Sequence, residues 1–317
     1  MPDYKALRLI AIYLYVSELY KNELQYTCQR FSNNSEPEFT DQELMTVYLF
    51  VTTQQQYFQV KQIHRFANEY LLSWFPKLPS YQAFNNRLNR MSEAFKALAA
   101  VLFICFVPED CVKQVSLTDS LPIVTCKGKN KKGKVAREIT DKGYCSTKNM
   151  YYYGVKLHVL SFRRPGTIPF PEYIGVTAAS ENDLTAFKEL FGDHIFDRII
   201  FGDRIFSDTC TTYEVRSKPY FDKKADKQNI EMLTPIKLVK GETECTRQRE
   251  KAYRDLYGKA VSTIRQPVES FINWINEKTK IQEAQKVRST KGLFVHLFGK
   301  IAAAFIYLIF CVPFLKT

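Results

Sequence analysis

Hydrophobic positions in the N-terminal third of the chain recur every three or four residues, which is the period of an amphipathic helix. One series covers residues 81–98 and predicts a single helix, whose first turn Ser80 can cap. Asp41 begins a second helical pattern, and residues 58–70 carry a third. Together these patterns predict an all-helical domain over residues 1–110.

Two of the predicted helices also allow a second interpretation, as a helix-turn-helix pair with Gln82–Arg90 as the DNA-reading helix. The connection at residues 74–79 is longer than the turn of about three or four residues that is usual in this motif. A sequence-reading pair and a plain packing bundle therefore stay open as alternatives for the N-terminal domain.

From residue 111 onward the apolar positions alternate or form short continuous runs, as they do in β-strands. Strands are predicted at residues 115–121, 151–162, 172–177, 198–203 and 230–236, with a helix at residues 183–191. The order strand, strand, strand, helix, strand, helix, strand, helix is typical of an α/β fold with an RNase-H-like mixed sheet flanked by helices. A doubly wound fold would need a helix between the first strands, where the sequence shows none. We predict an RNase-H-like domain over residues 111–317.

The formal net charge of the chain is +12, and it is unevenly distributed. Residues 1–110 contain 10 Lys and Arg against 11 Asp and Glu, whereas residues 111–317 contain 35 against 22. A basic surplus of this kind favours a polyanionic partner, with nucleic acid first, over a merely soluble basic surface. The densest basic segment is a loop at residues 127–137, and we predict DNA contacts for its six cations: Lys127, Lys129, Lys131, Lys132, Lys134 and Arg137.

The eight cysteines form no CxxC pair and no Cys/His cluster at zinc spacing. Cys105 and Cys311 lie in apolar runs, which predicts buried, reduced thiols in a cytoplasmic protein. The first residues lack the basic start and apolar run of a signal peptide. The apolar segment Ile301–Leu315 is short for a membrane span and contains Pro313, so we predict a buried helix and no membrane partner.

Three acids stand where carboxylates are unusual or well placed for chemistry. Asp119 interrupts an apolar strand, where an unpaired carboxylate would cost several kcal/mol. Asp203 follows the most hydrophobic strand, at the end from which functional groups often project. Glu269 is expected in the first turns of a helix, because Pro267 suits a first helical turn.

Two strands and a helix can bring these three carboxylates to one point, where they would repel one another. Two hard divalent cations, Mg²⁺ or Mn²⁺, relieve such repulsion and support phosphoryl displacement without a histidine base or a covalent nucleophile. Other acids are open as alternatives: Asp197 or Asp208 in place of Asp203, and Glu277 in place of Glu269.

Seven sequence blocks surround these acids. They are LTDSLPIV (117–124), GYCSTK (143–148), YYGVKLH (152–158), TAASEND (177–183), FGDRIF (201–206), RQPVESF (265–271) and KVRSTKGL (286–293). In this order, with the acids 84 and 66 residues apart, the chain resembles bacterial insertion-sequence transposases with a DDE catalytic domain, which belong to the retroviral-integrase-like superfamily. The resemblance covers roughly residues 115–310.

The resemblance implies a DNA transposase that cleaves transposon ends and transfers the freed strands into target DNA. It implies Asp119, Asp203 and Glu269 as catalytic metal ligands, terminal repeats and target DNA as partners, and a homo-oligomer assembled on DNA. Arg265 can either bind a DNA phosphate or pair with Glu269. Alternatives to a transposase are an RNase-H-like nuclease without strand transfer and a non-catalytic, DNA-binding relic.

The sequence departs from the family pattern at two positions. Many relatives have a tyrosine three residues before the arginine of the last acidic block and a lysine seven residues after its glutamate. Here these positions are Ser262 and Asn276, although Lys278 or Lys280 can serve in place of that lysine. The departure removes support for a cleavage mechanism that forms a DNA hairpin with the help of this tyrosine. It does not affect the three acids.

Overall fold

The computed structural model describes residues 2–28, 37–128, 133–146, 148–207, 227–236 and 243–311, apart from the side chains of Thr246 and Cys311. In these residues the helices are α1 (Asp3–Asn22), α2 (Asp41–Gln55), α3 (Val60–Tyr70), α4 (Tyr81–Arg90), α5 (Ser92–Cys105), α6 (Asp183–Leu190), α7 (Glu244–Thr279), α8 (Thr290–Phe294) and α9 (Lys300–Cys311). The strands are β1 (Val112–Lys127), β2 (Asp141–Cys145), β3 (Met150–Arg163), β4 (Phe170–Ala178), β5 (Arg198–Phe201) and β6 (Ile230–Leu233).

The chain divides into two compact units. The first unit combines three segments: Met1–Phe106, Val124–Ile139 and Trp274–Thr317. The second unit contains Val107–Ile123 and Thr140–Asn273. The first unit thus contains segments that lie beyond residue 110, and the linear division at that residue stays a prediction.

Helix α2 is the centre of the first unit. Its residues Leu44–Thr53 are all buried, which requires a helix that is packed on every side. A capping box begins the helix: Glu43 N–H donates to Thr40 Oγ1 at 3.2 Å, and Thr40 N–H donates to the Glu43 carboxylate. Gly299 packs against this helix so closely that a Cβ atom there would lie 2.9 Å from Tyr48 Cε1.

The prediction of one helix over residues 81–98 is wrong, because the chain leaves helical geometry at Met91, between α4 and α5. Leu88, Met91 and Phe95 are all buried across this break, so the apolar spacing continues through it and cannot reveal it. The predicted cap is confirmed, since Ser80 Oγ accepts a hydrogen bond from Ala83 N–H at 3.4 Å.

The C-terminal apolar segment is helical and largely buried. Residues Thr290–Phe310 are the one described helix that is long and apolar enough to cross a membrane, and 67% of its most apolar window is buried inside the protein. The predicted burial is confirmed for residues 301–306. Cys105 is instead exposed, so its predicted burial is wrong: it lies at the end of α5, beyond the last buried residue, Phe103.

The second unit is built on a mixed, six-stranded sheet with the order β2-β3-β1-β5-β6, in which β4 also pairs with β3. Strand β5 is parallel to β1 and to β6, whereas β3 is antiparallel to β2 and to β4. This arrangement confirms the predicted fold class, an RNase-H-like α/β fold preceded by helices. Strand β2 was not predicted. A helix was predicted between β5 and β6, and most of that interval, residues 208–226, lies outside the described residues.

Two apolar clusters cover the sheet. One gathers around α6 and contains Phe187, Phe191, Ile200 and Phe206. The other joins Leu117 of β1 and Phe201 of β5 to Val261 and Val268 of α7. The second cluster matters for function, because it packs α7 onto the strands two residues before Asp119 and Asp203.

Helix α7 begins at Glu244, so the expectation that a helix starts near Pro267 is wrong; Pro267 lies inside the helix. An internal proline costs about 3 kcal/mol. The apolar stripe of the helix includes Val261, Val268 and Phe271, each at most 3% exposed. Burial of about 1.5–3 kcal/mol for each such side chain exceeds the cost of the proline.

Lys300 is buried in the first unit, with only 2% of the residue exposed. Its Nζ donates to the carbonyl oxygen of Lys280 at 3.0 Å and lies 5.7 Å from the Phe58 ring centroid. Burial lowers the pKa of Lys300 to about 7, although Glu283 opposes this shift. Below that pKa the folded and unfolded states are both protonated, and the full cost of the buried charge is present.

Below about pH 7, Lys300→Met should have a larger free energy of unfolding than wild type, because it lacks the buried charge. We expect this difference in stability to shrink as pH rises. Above the folded pKa only the unfolded lysine keeps its proton, so wild type should gain about 3 kcal/mol of stability between about pH 7 and 9.5 relative to the variant. Urea unfolding across this range measures the difference. The exposed Lys96→Met is the control, and a pH-independent difference at Lys300 would contradict the prediction.

Candidate active site

Two neighbouring parallel strands bring the first two predicted acids to one level of the sheet. Strands β1 and β5 pair with Leu117 opposite Phe201, and Asp119 and Asp203 each follow two residues later. Since side chains alternate along a strand, Asp119 shares the face of Leu117, which is the face packed against α7. The acids therefore meet the helix on that face.

Asp203 stands where β5 leads into a 3₁₀ turn. Its Oδ1 accepts a hydrogen bond from the backbone N–H of Arg204 at 2.7 Å, so the residue also caps the turn. The rival Asp197 precedes β5 and accepts a hydrogen bond from Asn229 Nδ2 at 3.0 Å. The rival Asp208 lies outside the described residues. Of the two described acids, Asp203 is the one at the carboxyl end of the strand.

Helix α7 supplies Glu269 and, one turn earlier, Arg265. The Arg265 guanidinium donates from Nη1 to Asp119 Oδ2 at 3.1 Å and from Nη2 to Glu269 Oε1. Only 13% of the Arg265 side chain is exposed, so this cation is held between the two carboxylates rather than in solvent. Glu277, the rival third acid, is 71% exposed and pairs with Lys278 at 3.3 Å.

The carboxyl group of Asp119 is subject to opposing influences. Burial raises its pKa to about 6, and the Arg265 guanidinium and the Ser120 N–H oppose that shift. The negative charges of Glu269 and Asp203 raise the pKa of Asp119 further. Because such effects fall with distance, the three acids share one electrostatic environment.

The donor chemistry of the three acids fits a divalent cation. Carboxylate oxygens are preferred ligands of Mg²⁺ and Mn²⁺, and such ions relieve repulsion between carboxylates. In the part of the chain that the structure describes, no group of three Asp, Glu, His or Cys side chains is gathered for metal binding. The guanidinium of Arg265 lies between Asp119 and Glu269 and pairs with both.

A cavity of about 440 Å³ adjoins Asp203 and is lined by basic side chains that the sequence analysis did not single out. Arg204 follows Asp203 directly, and Arg254 and Lys259 reach the cavity from α7 together with Ser262. Helical spacing back from Glu269 could have indicated part of this set, but only once α7 was known to continue through Pro267. Arg254 pairs with Glu250 at 2.6 Å, and Asp255 also lines the cavity.

The described part of the predicted basic loop lies in the first unit. Lys127, Lys134 and Arg137 are exposed, and the first two line a cavity of about 650 Å³ together with Arg288. The other three predicted DNA contacts, Lys129, Lys131 and Lys132, lie outside the described residues.

Lys156 and His158 share one face of β3 and serve the packing of the second unit. Lys156 Nζ donates to Asp183 Oδ1 at 3.0 Å and to the Glu181 carbonyl oxygen at 2.7 Å. His158 Nε2 is 2.8 Å from Thr177 Oγ1, and burial lowers the pKa of this histidine to about 4. His158 is thus a core residue whose ring nitrogen has a polar partner.

The sheet order, with acids on two central parallel strands, defines an RNase-H-like domain. A family model for the transposase DDE domain matches residues 110–306, which is more than half of the chain. The chain therefore belongs to the DDE transposases. A search of curated proteins and a search of solved structures gave no significant match. DDE transposases act on DNA and generally use divalent metal ions.

We expect Arg265→Gln to destabilise the protein by about 2 kcal/mol in the absence of divalent ions, because two carboxylates lose their shared cation. Mg²⁺ should restore more of that loss than it adds to wild type, since it can take the place of the guanidinium. The measurement is the thermal unfolding midpoint of both proteins with chelator and with Mg²⁺.

Arg247→Gln is the matched control, because Arg247 lies on the same helix and pairs with Glu244 at 3.6 Å in an exposed position. Exposed pairs contribute about 0–1 kcal/mol, so neither its stability nor its response to Mg²⁺ should change much. If Arg265→Gln behaves like this control, Arg265 does not hold the two acids together.

Proposed function

We propose that this transposase cleaves DNA at the ends of its mobile element and joins the freed 3′-hydroxyl groups to target DNA. In this proposal Asp119, Asp203 and Glu269 hold two divalent ions, Mg²⁺ or Mn²⁺. The observation that carries it is the meeting of Asp119 and Glu269 on Arg265, with Asp203 close enough to raise the pKa of Asp119.

When bound, two such ions would stabilise the attacking and leaving oxygens of a phosphoryl displacement. Asp119 and Asp203 contribute their carboxylates from the rigid sheet, and Glu269 contributes its carboxylate from α7. Arg265 must turn away for the acids to take metal ligand roles. Its planar guanidinium can then form a bidentate pair with a DNA phosphate. Arg265 would thus both pair with Glu269 and bind a phosphate, at different stages.

Basic side chains near Asp203 suit the DNA backbone. Arg254 and Lys259 line the cavity beside this acid and can hold the phosphates that flank the cut. We further propose that the basic loop at residues 127–137 binds terminal-repeat or target DNA, and that the protein acts as a homo-oligomer on that DNA.

Replacing Asp119, Asp203 or Glu269 by the corresponding amide should reduce cleavage at least about 1,000-fold, because a neutral amide loses the charge that holds the metal. Binding of the same DNA in chelator should change by less than about twofold if the fold is intact. The substrate is DNA that carries the sequences flanking the gene, with Mg²⁺ or Mn²⁺ added after exhaustive chelation.

Glu277→Gln is the control for this series, because Glu277 lies on α7 but is exposed and paired with Lys278. It should keep wild-type cleavage. Normal cleavage by Glu269→Gln together with loss of cleavage by Glu277→Gln would show that the third acid is misassigned. Full cleavage in chelator without added metal would contradict the metal mechanism itself.

Pre-cleaved ends with free 3′-hydroxyl groups separate transposition from simple nuclease action. Wild-type protein should join these ends to a supercoiled target, and Asp119→Asn should not. Cleavage without joining would favour an RNase-H-like nuclease. DNA binding with neither reaction in Mg²⁺ or Mn²⁺ would favour a non-catalytic relic.

Neutralising Lys127, Lys134 and Arg137 with glutamine should flatten the plot of log affinity against log salt by about 3 units if all three bind phosphates. Each phosphate contact releases condensed counterions, which contributes a slope near −0.9. The measurement is equilibrium binding of end-containing duplex DNA over a series of salt concentrations.

A triple variant of Lys21, Lys77 and Lys96 to glutamine makes the same change in net charge at three exposed lysines outside the loop. It should leave the slope nearly unchanged. An equal effect of both triple variants would assign the salt dependence to overall charge and not to the loop.

A further inference from the structure

Two tyrosines and a lysine form an exposed cluster on the β2–β3 hairpin of the second unit. Tyr144 and Tyr151 face each other across the two strands, with 5.0 Å between their ring centroids. Lys142 Nζ lies 4.8 Å from the centroid of the Tyr151 ring. The tyrosines are 49% and 57% exposed, although aromatic side chains of this size usually bury most of their surface. We call these three residues the hairpin platform.

The hairpin platform is held in place by its surroundings. Tyr144 Oη donates to Asn149 Oδ1 at 2.6 Å, which restrains one ring. Gly143, between Lys142 and Tyr144, packs so closely on the end of β4 that a Cβ atom there would lie 2.4 Å from the Ala179 carbonyl oxygen. An aromatic surface that is both exposed and restrained loses little conformational entropy when a flat ligand stacks on it.

A cavity of about 480 Å³ adjoins the hairpin platform and extends to the 3₁₀ turn that follows Asp203. It is lined by all three platform residues, by Lys156 and Glu181, and by Ile205. Ile205 is two residues beyond Asp203, in the 3₁₀ turn that Asp203 caps. Since Lys156 is paired with Asp183, Lys142 is the cation of the platform that can turn toward a phosphate.

We propose that the hairpin platform binds an unpaired nucleotide of the DNA strand next to the cut, with its base on the tyrosine rings and its phosphate on Lys142. The proposal rests on the proposed function, and it adds a binding site for single-stranded DNA. A base stacks on an aromatic ring more strongly than an exposed lysine does, so it displaces Lys142 from the Tyr151 ring. The displaced ammonium group then pairs with the phosphate of that nucleotide.

The test measures binding alone, in chelator, so it does not depend on whether the protein cleaves or joins DNA. The probe is a short single strand with one 2-aminopurine, compared with a fully paired duplex of the same sequence. Tyr151→Ala should weaken single-strand binding about tenfold, and Tyr151→Phe should keep it, because the ring does the stacking. Fluorescence of 2-aminopurine should be quenched by wild type and by Tyr151→Phe, but not by Tyr151→Ala.

Two further variants sharpen the result. Lys142→Gln should reduce the salt slope of single-strand binding by about 0.7, which corresponds to one phosphate contact on a single strand. Tyr26→Ala removes a tyrosine that is 70% exposed elsewhere and should change nothing. Unchanged single-strand binding by Tyr151→Ala, or an equal loss on the duplex, would overturn the proposal. Loss of binding by Tyr151→Phe would also overturn it, since the hydroxyl group would then be the determinant.

Discussion

The ion pairs of Arg265 with Asp119 and Glu269 hold together a set of carboxylates that would otherwise repel one another. Burial already raises the pKa of Asp119, and the charges of Glu269 and Asp203 raise it further. One guanidinium opposes these effects by bridging two carboxylates, with Nη1 bonded to Asp119 and Nη2 to Glu269. The site can therefore be assembled in the folded protein before any metal or DNA is bound.

This arrangement requires α7 to be one continuous helix. The residues that pack the helix on the sheet, Val261 and Val268, lie on either side of Arg265, and Pro267 falls between Arg265 and Val268. If the helix began at Pro267, Val261 would be lost from the apolar cluster and Arg265 would have no fixed direction. Burial of the apolar stripe thus offsets the internal proline, and it also aims the arginine at Asp119.

The fold class could be predicted because it depends on local patterns, and the same patterns singled out the candidate acids. Strand-length apolar runs revealed the central strands, and Asp119 and Asp203 stood out against their apolar neighbours. The adjacent, parallel pairing of β1 with β5, which places these two acids at one level of the sheet, came only from the structure. The wide spacing of the acids in the sequence added support through the resemblance to DDE transposases, which the family match confirms.

Other features depended on tertiary contacts that local patterns do not encode. The break at Met91 is invisible because apolar spacing continues across it. Arg254 and Lys259, two of the cations beside Asp203, were missed because the helix of Glu269 was expected to begin near Pro267. Arg265 posed a different difficulty, since its pairing with Glu269 is local in sequence but its pairing with Asp119 is not. The sequence alone could only offer the two roles as alternatives.

Charge balance connects these two roles under the proposed function. Three carboxylates and one phosphate of bound DNA carry four negative charges, which two divalent ions balance without any help from arginine. Without metal or DNA, Asp119 and Glu269 have Arg265 as their counterion, and its guanidinium lies between them. Bound divalent ions would repel this guanidinium, and the DNA backbone would attract it. Replacement of the Arg265 guanidinium by two divalent ions would thus free Arg265 when a DNA phosphate is present to pair with it.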